Sequence, residues 1–418
     1  MDITGTVIYS DWQFLGREPK LICFVFPGQG SQREKMGEAW TDHPSWELVE
    51  EASQVANRDL GQLLLSADST ELSMTRNTQI STFLMSMIAL DSIERLGISP
   101  QLCAGHSLGE YSALVGAGAM TFDAAVKLVA ERGEAMQLAA EENPGAMAAV
   151  LGASDETIDA LCTTTGDGIY IANYNSDGQT VVAGTIDAVD RLTSLAKEFG
   201  VKRVIKLPVG GGFHTPLIKS AQPRLKKALG ATRFYDSDIP VVSNVDAHEH
   251  SRASEWPTLL LEQLCSPVLW KQSMEVLKKS SPKIVIEVGP GGVLTGLFKR
   301  SMPDVTALSV AKPEDLELLI EQVADQGPLH EWATYHHGER FYSSERLVVA
   351  DCAGVFAPET SLIDMGSGSP IAVGQRIGTI GSKAVRSPFA GRLQGMIALD
   401  GERVTKGQPI AWLQSEES

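Results

Sequence analysis

The chain has 418 residues, which is too long for one compact core. Hydrophobic residues make up 43 % of it and charged residues 21 %, a composition typical of globular proteins. A net charge of −17 argues against nucleic acid as a partner, and no uncharged apolar stretch reaches the roughly 18 residues that span a bilayer. Five scattered cysteines without CxxC spacing and no signal-peptide pattern predict free thiols and a cytoplasmic location.

The first 144 residues show strands that alternate with helices. Leu21–Phe26 reads as a buried strand that enters a glycine-rich turn, and Gln101–Ala104 as a second strand. Gln79–Leu96 has helical spacing, with one apolar face formed by Phe83, Met87, Leu90 and Ile93. Ile284–Val288 repeats the strand pattern far along the chain. This alternation predicts an α/β fold with a mostly parallel sheet covered by helices on both faces, like that of α/β-hydrolases.

Residues 145–208 show a different order of predicted strands and helices. Their pattern is strand, helix, strand, strand, helix, strand, which is the element order of a ferredoxin-like subdomain. We therefore predict a core built from residues 21–144 and 209–320, interrupted by this insert. Residues 1–20 are expected to be an N-terminal extension, and residues 321–343 a linker.

The tail, residues 344–418, repeats itself. Ala353-Gly354 recurs as Ala390-Gly391, and Val373–Ile377 recurs as Lys406–Ile410. Short apolar pieces and turn residues lie between these points, with no helical pattern. Two similar β halves predict a small all-β barrel-sandwich domain.

A nucleophile motif follows the second predicted strand. Gly105-His106-Ser107-Leu108-Gly109 fits G-x-S-x-G, in which a tight strand-to-helix turn exposes the serine hydroxyl and the next amide can bind an oxyanion. His214 follows a glycine-rich turn at the end of a predicted strand, which makes it the candidate base. His248 and His250, near Asp246, are open to two interpretations, a metal site or an exposed loop.

A second glycine-rich turn, Pro27–Gln32, follows the first strand. It lacks the Lys-[ST] pair of a phosphate-binding loop, so nucleotide binding is not expected there. Polar side chains on such a turn can instead line an active site.

Together these pieces resemble the malonyl-CoA:acyl carrier protein transacylases of fatty acid synthesis and the acyltransferases of polyketide synthases. The resemblance runs from about Leu21 to Val310. It depends on five ordered motifs, Phe26–Gln32, Gly105–Ser112, Asn173–Ser176, Gly212–Thr215 and Glu287–Gly291.

The resemblance implies a role for each matching residue. Ser107 would carry the malonyl ester, His214 would act as base and then acid, and the amides of Gln29 and Leu108 would form the oxyanion hole. The substrate-binding set would be Arg132 for the malonyl carboxylate, Gln79, Phe213 and His106.

Arg132, His106 and Ser266 differ in how far their residue types support the roles that the resemblance implies. A planar guanidinium such as Arg132 can grip a carboxylate through two hydrogen bonds. His106 adjoins Ser107 on a turn whose neighbours point apart, so a structural role is its alternative. Ser266 replaces an asparagine that is frequent in the family, and its backbone carbonyl is expected to orient His214.

The resemblance also implies the partners. Malonyl-CoA would be the acyl donor and the phosphopantetheine arm of an acyl carrier protein the acceptor, in trans, with no bound cofactor and no metal. A local basic patch is the expected carrier-docking surface, formed by Lys202, Arg203, Lys206, Lys219, Arg224, Lys226 and Lys227; an ordinary solvated surface is its alternative.

The tail resembles the biotinyl/lipoyl carrier fold in Ser387–Gly391 and Asp400–Ile410. Lys383 lies where that family carries its modified lysine, but without the family's surrounding motif, so we expect an unmodified domain without biotin or lipoate. The alternatives to the transferase are an acyl hydrolase acting on carrier proteins and a docking module for a biotin- or lipoyl-type partner. Arg132 argues against the first, and the presence of Ser107 and His214 against the second.

Overall fold

The structure, a computed structural model, describes residues 21–324, 345–365 and 368–414. The predicted extension, residues 1–20, lies outside them. Strands β1 to β10 belong to the first range: β1 (Ile22–Phe26), β2 (Leu102–Gly105), β3 (Gly145–Leu151), β4 (Ile169–Ser176), β5 (Gln179–Thr185), β6 (Arg203–Lys206), β7 (Val241–Val242), β8 (Glu249–His250), β9 (Ile284–Val288) and β10 (Thr306–Val310).

Helices fill most of the remaining chain in that range. They are α1 (Glu47–Ala56), α2 (Leu60–Ser66), α3 (Ser69–Ser73), α4 (Thr75–Glu94), α5 (Gly109–Gly116), α6 (Phe122–Glu142), α7 (Asp155–Thr165), α8 (Ile186–Leu195), α9 (Gln222–Ala231), α10 (Trp256–Gln263), α11 (Trp270–Lys279), α12 (Val293–Ser301) and α13 (Asp315–Ala324). Among the described residues, no helix is both long and apolar enough to cross a membrane.

The central sheet has the strand order β10-β9-β1-β2-β7-β8 and is parallel except for β8. Side chains along β1 alternate between two cores. Phe24 and Phe26 pack with α4 and α5 on one face, whereas Cys23 and Val25 pack with α11 and α12 on the other. The predicted α/β arrangement, with helices on both faces of a parallel sheet, is confirmed.

Helix α4 differs from its prediction in how it is buried. Every residue from Asn77 to Ile93 is buried, so the helix has no solvent-exposed face along this stretch. The sequence predicted one apolar face, but the polar positions of the helix are buried as well, because they pack against α6 and neighbouring segments. Phe83 stacks on Phe122 of α6, with ring centroids 6.3 Å apart.

Residues 145–206 form a separate antiparallel sheet of order β4-β5-β3-β6, with α7 and α8 packed on it around an apolar cluster of their own. Strand β4 fastens this unit to the core, because the Tyr174 amide donates to the Val268 carbonyl (2.9 Å) and the Val268 amide to the Ala172 carbonyl (2.8 Å). Lys271 of α11 adds ion pairs to Asp155 and Asp177.

The C-terminal unit consists of two four-stranded antiparallel sheets, β11-β18-β16-β13 and β15-β14-β12-β17. Their strands are β11 (Glu345–Val349), β12 (Gly354–Pro358), β13 (Pro370–Ile371), β14 (Arg376–Ile380), β15 (Lys383–Arg386), β16 (Gly391–Met396), β17 (Arg403–Val404) and β18 (Pro409–Gln414). One contact with the core is the hydrogen bond from the Ala390 amide to the Leu96 carbonyl, at 3.3 Å.

Two expectations need correction. The tail contains a short helix, α14 (Thr360–Met365), where only β structure was predicted. A helix of six residues shows no periodicity in a sequence, and Leu362 packs into the apolar cluster of this unit. Helix α13 runs to Ala324, so the predicted linker, residues 321–343, begins inside a helix; its remainder lies outside the described residues.

Candidate active site

Four loops meet at the carboxyl edge of the central sheet. The turns that contain Gln29, Ser107, Asn244 and Gly289 follow β1, β2, β7 and β9. In an open parallel sheet this edge is the usual place for a ligand or a reaction. Close packing joins the loops, because a Cβ at Gly28 would lie 2.4 Å from the His106 carbonyl oxygen.

Ser107 occupies a strained turn between β2 and α5. Its φ of +53° lies in the left-handed region, which non-glycine residues seldom adopt. The flanking glycines permit the turn, since a Cβ at Gly105 would lie 1.9 Å from the Gly109 backbone. Asn244 fixes the turn from outside: its Oδ1 accepts from the Ser107 amide and its Nδ2 donates to the Gly105 carbonyl, both at 2.7 Å.

The Ser107 hydroxyl lies 2.7 Å from Nε2 of His214. On its other side the imidazole contacts the Gln263 carbonyl through Nδ1, at 2.9 Å. A carbonyl can only accept, so Nδ1 carries the ring proton and Nε2 presents a lone pair to the serine. The structure thus brings the two predicted catalytic residues together in a geometry suited to proton transfer.

The surroundings of His214 keep the imidazole neutral. Burial, followed by the nearby charge of Arg132, lowers its pKa to about 3, although the Gln263 carbonyl opposes that shift. A neutral imidazole near pH 7 can accept the serine proton at once.

The carbonyl that orients His214 was predicted to be that of Ser266, and the structure corrects this. The hydrogen bond goes to Gln263, three residues earlier, at the C-terminal end of α10. The Ser266 backbone makes a smaller contribution, which also favours the protonated imidazole. The last carbonyls of a helix lack partners within the helix, which leaves Gln263 available.

Arg132, on α6, reaches the nucleophile and is fully buried. Its Nη2 lies 3.2 Å from the Ser107 Oγ and 2.9 Å from Oε1 of Gln263, while Nη1 donates to the Gln79 side chain. The guanidinium also lies over the Tyr111 ring, 5.1 Å from its centroid. A cation is therefore held beside the hydroxyl that would carry an acyl group.

Gln79 joins Arg132 to the turn after β1, because its Nε2 lies 3.3 Å from the Gln29 Oε1. Both predicted oxyanion-hole residues therefore lie near Ser107. Leu108 follows it in the chain, and the turn that contains Gln29 packs against the carbonyl of His106. Within the described residues, no acceptor takes the backbone amide proton of either one.

Phe213 and His106 line the same region. Phe213 is buried immediately before His214, and its ring packs against Gly211, where a Cβ would lie 2.7 Å from the ring. Nε2 of His106 lies 2.9 Å from the Asn175 Oδ1 on β4. This contact connects the nucleophile loop to the antiparallel unit.

Sequence reasoning missed three residues of the site, Glu110, Asn244 and Gln263. Glu110 follows the nucleophile motif directly, and this adjacency was the one available signal. Asn244 and Gln263 lie 137 and 156 residues from Ser107, in segments without a motif. Only the folded sheet edge brings them to the serine.

Two other predicted groups lie elsewhere. His250 pairs with Asp246 (3.0 Å) and Glu255 (3.2 Å), and the described part of the chain contains no cluster of three or more His, Cys, Asp or Glu suited to a metal. Lys383, in the C-terminal unit, has its Nζ 2.6 Å from Asp351.

The arrangement is suited to covalent acyl transfer. A serine with a neutral histidine can attack an ester or thioester, and two free amides beside it can stabilise the oxyanion. The buried cation next to the hydroxyl favours an acyl group that carries its own negative charge.

Comparisons with known proteins agree with this chemistry. The model of the acyl transferase domain family matches residues 23–318. The malonyl CoA-acyl carrier protein transacylase of Bacillus subtilis (strain 168) is 40 % identical over 310 residues, which cover 73 % of this chain and 98 % of that protein. Its counterpart in Escherichia coli (strain K12) is 39 % identical over 308 residues, covering 72 % and 99 %.

Solved structures show the same likeness. An acyl carrier protein S-malonyltransferase from Vibrio cholerae superposes with a TM-score of 0.68 at 38 % identity, covering 71 % of this chain and 99 % of that one. A malonyl-transacylase solved with its type II polyketide synthase acyl carrier protein gives 0.70 at 36 %, covering 72 % and 99 %. This chain therefore belongs to the acyl transferase family, in the group of the malonyl CoA-acyl carrier protein transacylases.

Proposed function

We propose that this protein transfers malonyl groups from coenzyme A to an acyl carrier protein, for fatty acid or polyketide synthesis. The observation that carries the proposal is the buried Arg132 guanidinium 3.2 Å from the Ser107 hydroxyl. A neutral acyl group would leave this cation without a counter-charge, whereas the free carboxylate of a malonyl ester can pair with it.

In the first half-reaction His214 Nε2 takes the Ser107 proton as Oγ attacks the thioester carbonyl carbon. The carbon–sulfur bond then breaks, and the leaving coenzyme A thiolate takes from His214 the proton that came from Ser107. The product is a malonyl ester on Ser107. The imidazolium formed midway is stabilised by the Gln263 carbonyl on Nδ1.

The second half-reaction reverses these roles. The phosphopantetheine thiol of the carrier protein gives its proton to His214 and attacks the ester carbonyl. The carbon–oxygen bond to Ser107 breaks, and His214 returns the proton to Oγ. In both steps the amides of Gln29 and Leu108 would donate to the oxyanion of the tetrahedral intermediate.

Phe213 and Gln79 complete the acyl pocket in this proposal. The buried Phe213 ring, next to His214, would disfavour an α-branched acyl group, a preference of about 1–3 kcal/mol for one methyl group. Gln79 would hold the Arg132 guanidinium and the Gln29 turn in register.

We also propose the finer structural assignments. The parallel core, residues 21–144 and 209–320, is α/β-hydrolase-like, which the serine turn at its carboxyl edge supports. Residues 145–208 are ferredoxin-like, supported by the order β4-β5-β3-β6.

Residues 344–418 are lipoyl-like, supported by two packed antiparallel sheets, and carry no biotin or lipoate on Lys383. Unpaired cysteines support a cytoplasmic location.

Intact-protein mass spectrometry before and after brief incubation with malonyl-CoA tests the function. We expect a gain of one malonyl mass, lost in Ser107→Ala, and transfer of that mass to an added holo acyl carrier protein. Failure to gain malonyl, or a preference for neutral acyl-CoA, would contradict the malonyl assignment. Rapid release of free malonate in place of transfer would favour the hydrolase.

A further inference from the structure

Glu110 is a buried carboxylate to which the mechanism above gives no role. It is fully inaccessible to solvent, in the first turn of α5. One oxygen accepts from the Asn244 amide at 3.1 Å and the other from the Gln263 side chain, and the Ser243 hydroxyl also favours the ionised form. Burial raises the pKa of Glu110 to about 7, and these donors, together with the charge of Arg132, favour the ionised carboxylate against that shift.

The side chain of Gln263 joins this carboxylate to Arg132. Its Nε2 donates to Glu110 and to the Ser107 carbonyl (2.8 Å), while its Oε1 accepts from Arg132 Nη2 (2.9 Å). These partners fix the amide orientation, because the guanidinium can only donate and the carboxylate accepts. The amide dipole therefore points its oxygen at the cation and its nitrogen at the anion.

Arg132 needs such support because it is buried throughout. An isolated buried cation costs several kcal/mol unless an opposite charge and hydrogen bonds compensate it. The uncharged groups around the guanidinium are Gln79, Tyr111, Gln263 and Ser107. The Tyr111 side chain makes the larger favourable contribution to charged Arg132, and the carboxylate of Glu110 makes the next. Arg132 in turn favours ionised Glu110.

We propose that Glu110 is a positioning residue: as the buried counter-charge of Arg132, it holds the guanidinium, through Gln263, in the orientation that receives an acyl group bearing a carboxylate. The inference rests on the proposed malonyl transfer. Its consequence is selective, because a neutral acyl group does not use Arg132. Loss of the Glu110 charge should impair charged acyl donors far more than neutral ones.

The test is Glu110→Gln, which keeps the shape and removes the charge. We measure kcat and KM of the full chain for malonyl-CoA and for acetyl-CoA, with holo acyl carrier protein as acceptor. We expect the ratio of the two kcat/KM values to fall at least tenfold in favour of acetyl-CoA, mainly through a higher KM for malonyl-CoA. In an Arg132→Ala background the same change should leave the ratio within threefold.

Glu287 offers a matched control. It is also fully buried, but it accepts from the amides of Gly292, Leu294 and Thr295 (2.7–3.2 Å) and so holds the start of α12. Glu287→Gln should lower the unfolding temperature and leave the malonyl-to-acetyl ratio unchanged.

Gln263→Met supplies a second test if Glu110→Gln does not fold. It breaks the bridge between Glu110 and Arg132 but keeps the backbone carbonyl that orients His214. A ratio within threefold of wild type in the variant that folds would overturn the inference. Should wild type itself fail to form malonyl-Ser107, the proposed function fails instead, so the two failures are distinguishable.

Discussion

The core and the C-terminal unit place their polar and apolar side chains in opposite ways. At the carboxyl edge of the central sheet the core buries six interacting polar residues: Ser107, Glu110, Arg132, His214, Asn244 and Gln263. In the described part of the C-terminal unit the buried polar residues are Arg346, Ser369 and Ser387. That unit instead exposes large apolar side chains, among them Leu347, Leu399 and Trp412.

This difference indicates that the reaction takes place in the core and not in the C-terminal unit. Burying polar groups is costly unless each one finds a partner, so a connected buried network marks a site built for reaction. The C-terminal unit has no comparable network among its described residues. Substitutions in this buried network should therefore lower the rate of acyl transfer or change its acyl preference, whereas changes in the C-terminal unit should leave the rate nearly unchanged.

We expect the largest loss of activity from Ser107→Ala. Removing the nucleophile should lower the rate of malonyl transfer by roughly 10⁴-fold or more, as in other serine enzymes. Turnover with malonyl-CoA and intact mass measure the loss, and circular dichroism checks that the fold persists. Residual malonylation of the variant would point to a nucleophile other than Ser107.

Arg132→Ala should have the next largest effect. The proposed role of Arg132 gives two charge-assisted hydrogen bonds to the malonyl carboxylate, each about 1.5–3 kcal/mol, so we expect a loss of roughly 100-fold or more in kcat/KM for malonyl-CoA. Arg132→Lys, which keeps the charge but not the planar fork, should fall between wild type and alanine. Equal losses for malonyl-CoA and acetyl-CoA would show that Arg132 serves stability rather than recognition.

The neutral state of His214 should appear in the pH dependence of stability. Because folding lowers its pKa from 6.5 to about 3, protons bind the unfolded chain preferentially as the pH falls through this window. Wild type should therefore lose up to a few kcal/mol of unfolding free energy between pH 6.5 and pH 4 relative to His214→Asn, whose residue tolerates the φ of +61°. Denaturant titrations across this range measure the difference. Parallel curves would mean that His214 titrates normally in the folded state.

The smallest effect on catalysis should come from removing residues 345–418. The Bacillus subtilis relative aligns over 98 % of its own length with 310 residues of this chain. The 2 % of that relative outside the alignment is too short to form a unit like residues 345–418. Ser107 malonylation by the shortened chain should stay within about threefold of wild type. A larger loss would show that the C-terminal unit supports the active site, and the contact between Ala390 and Leu96 would then be a candidate for that support.

The sequence by itself was sufficient for the local parts of the site. The serine turn is encoded by Gly105 and Gly109, whose missing side chains allow the backbone to approach closely, so a five-residue motif was enough to predict it. The alternation of strands and helices likewise predicted the parallel sheet, since hydrophobic periodicity is a local property.

The residues around Ser107 and His214 come together only when the chain folds. Glu110 could be seen beside the motif, but its contacts with Asn244 and Gln263 join segments more than 130 residues apart. The choice of the Gln263 carbonyl over that of Ser266 depends on where α10 ends, a matter of one helical turn. Hydrogen-bond partners of this kind are set by the packing of whole elements at the sheet edge, and that packing leaves no pattern of its own in the sequence.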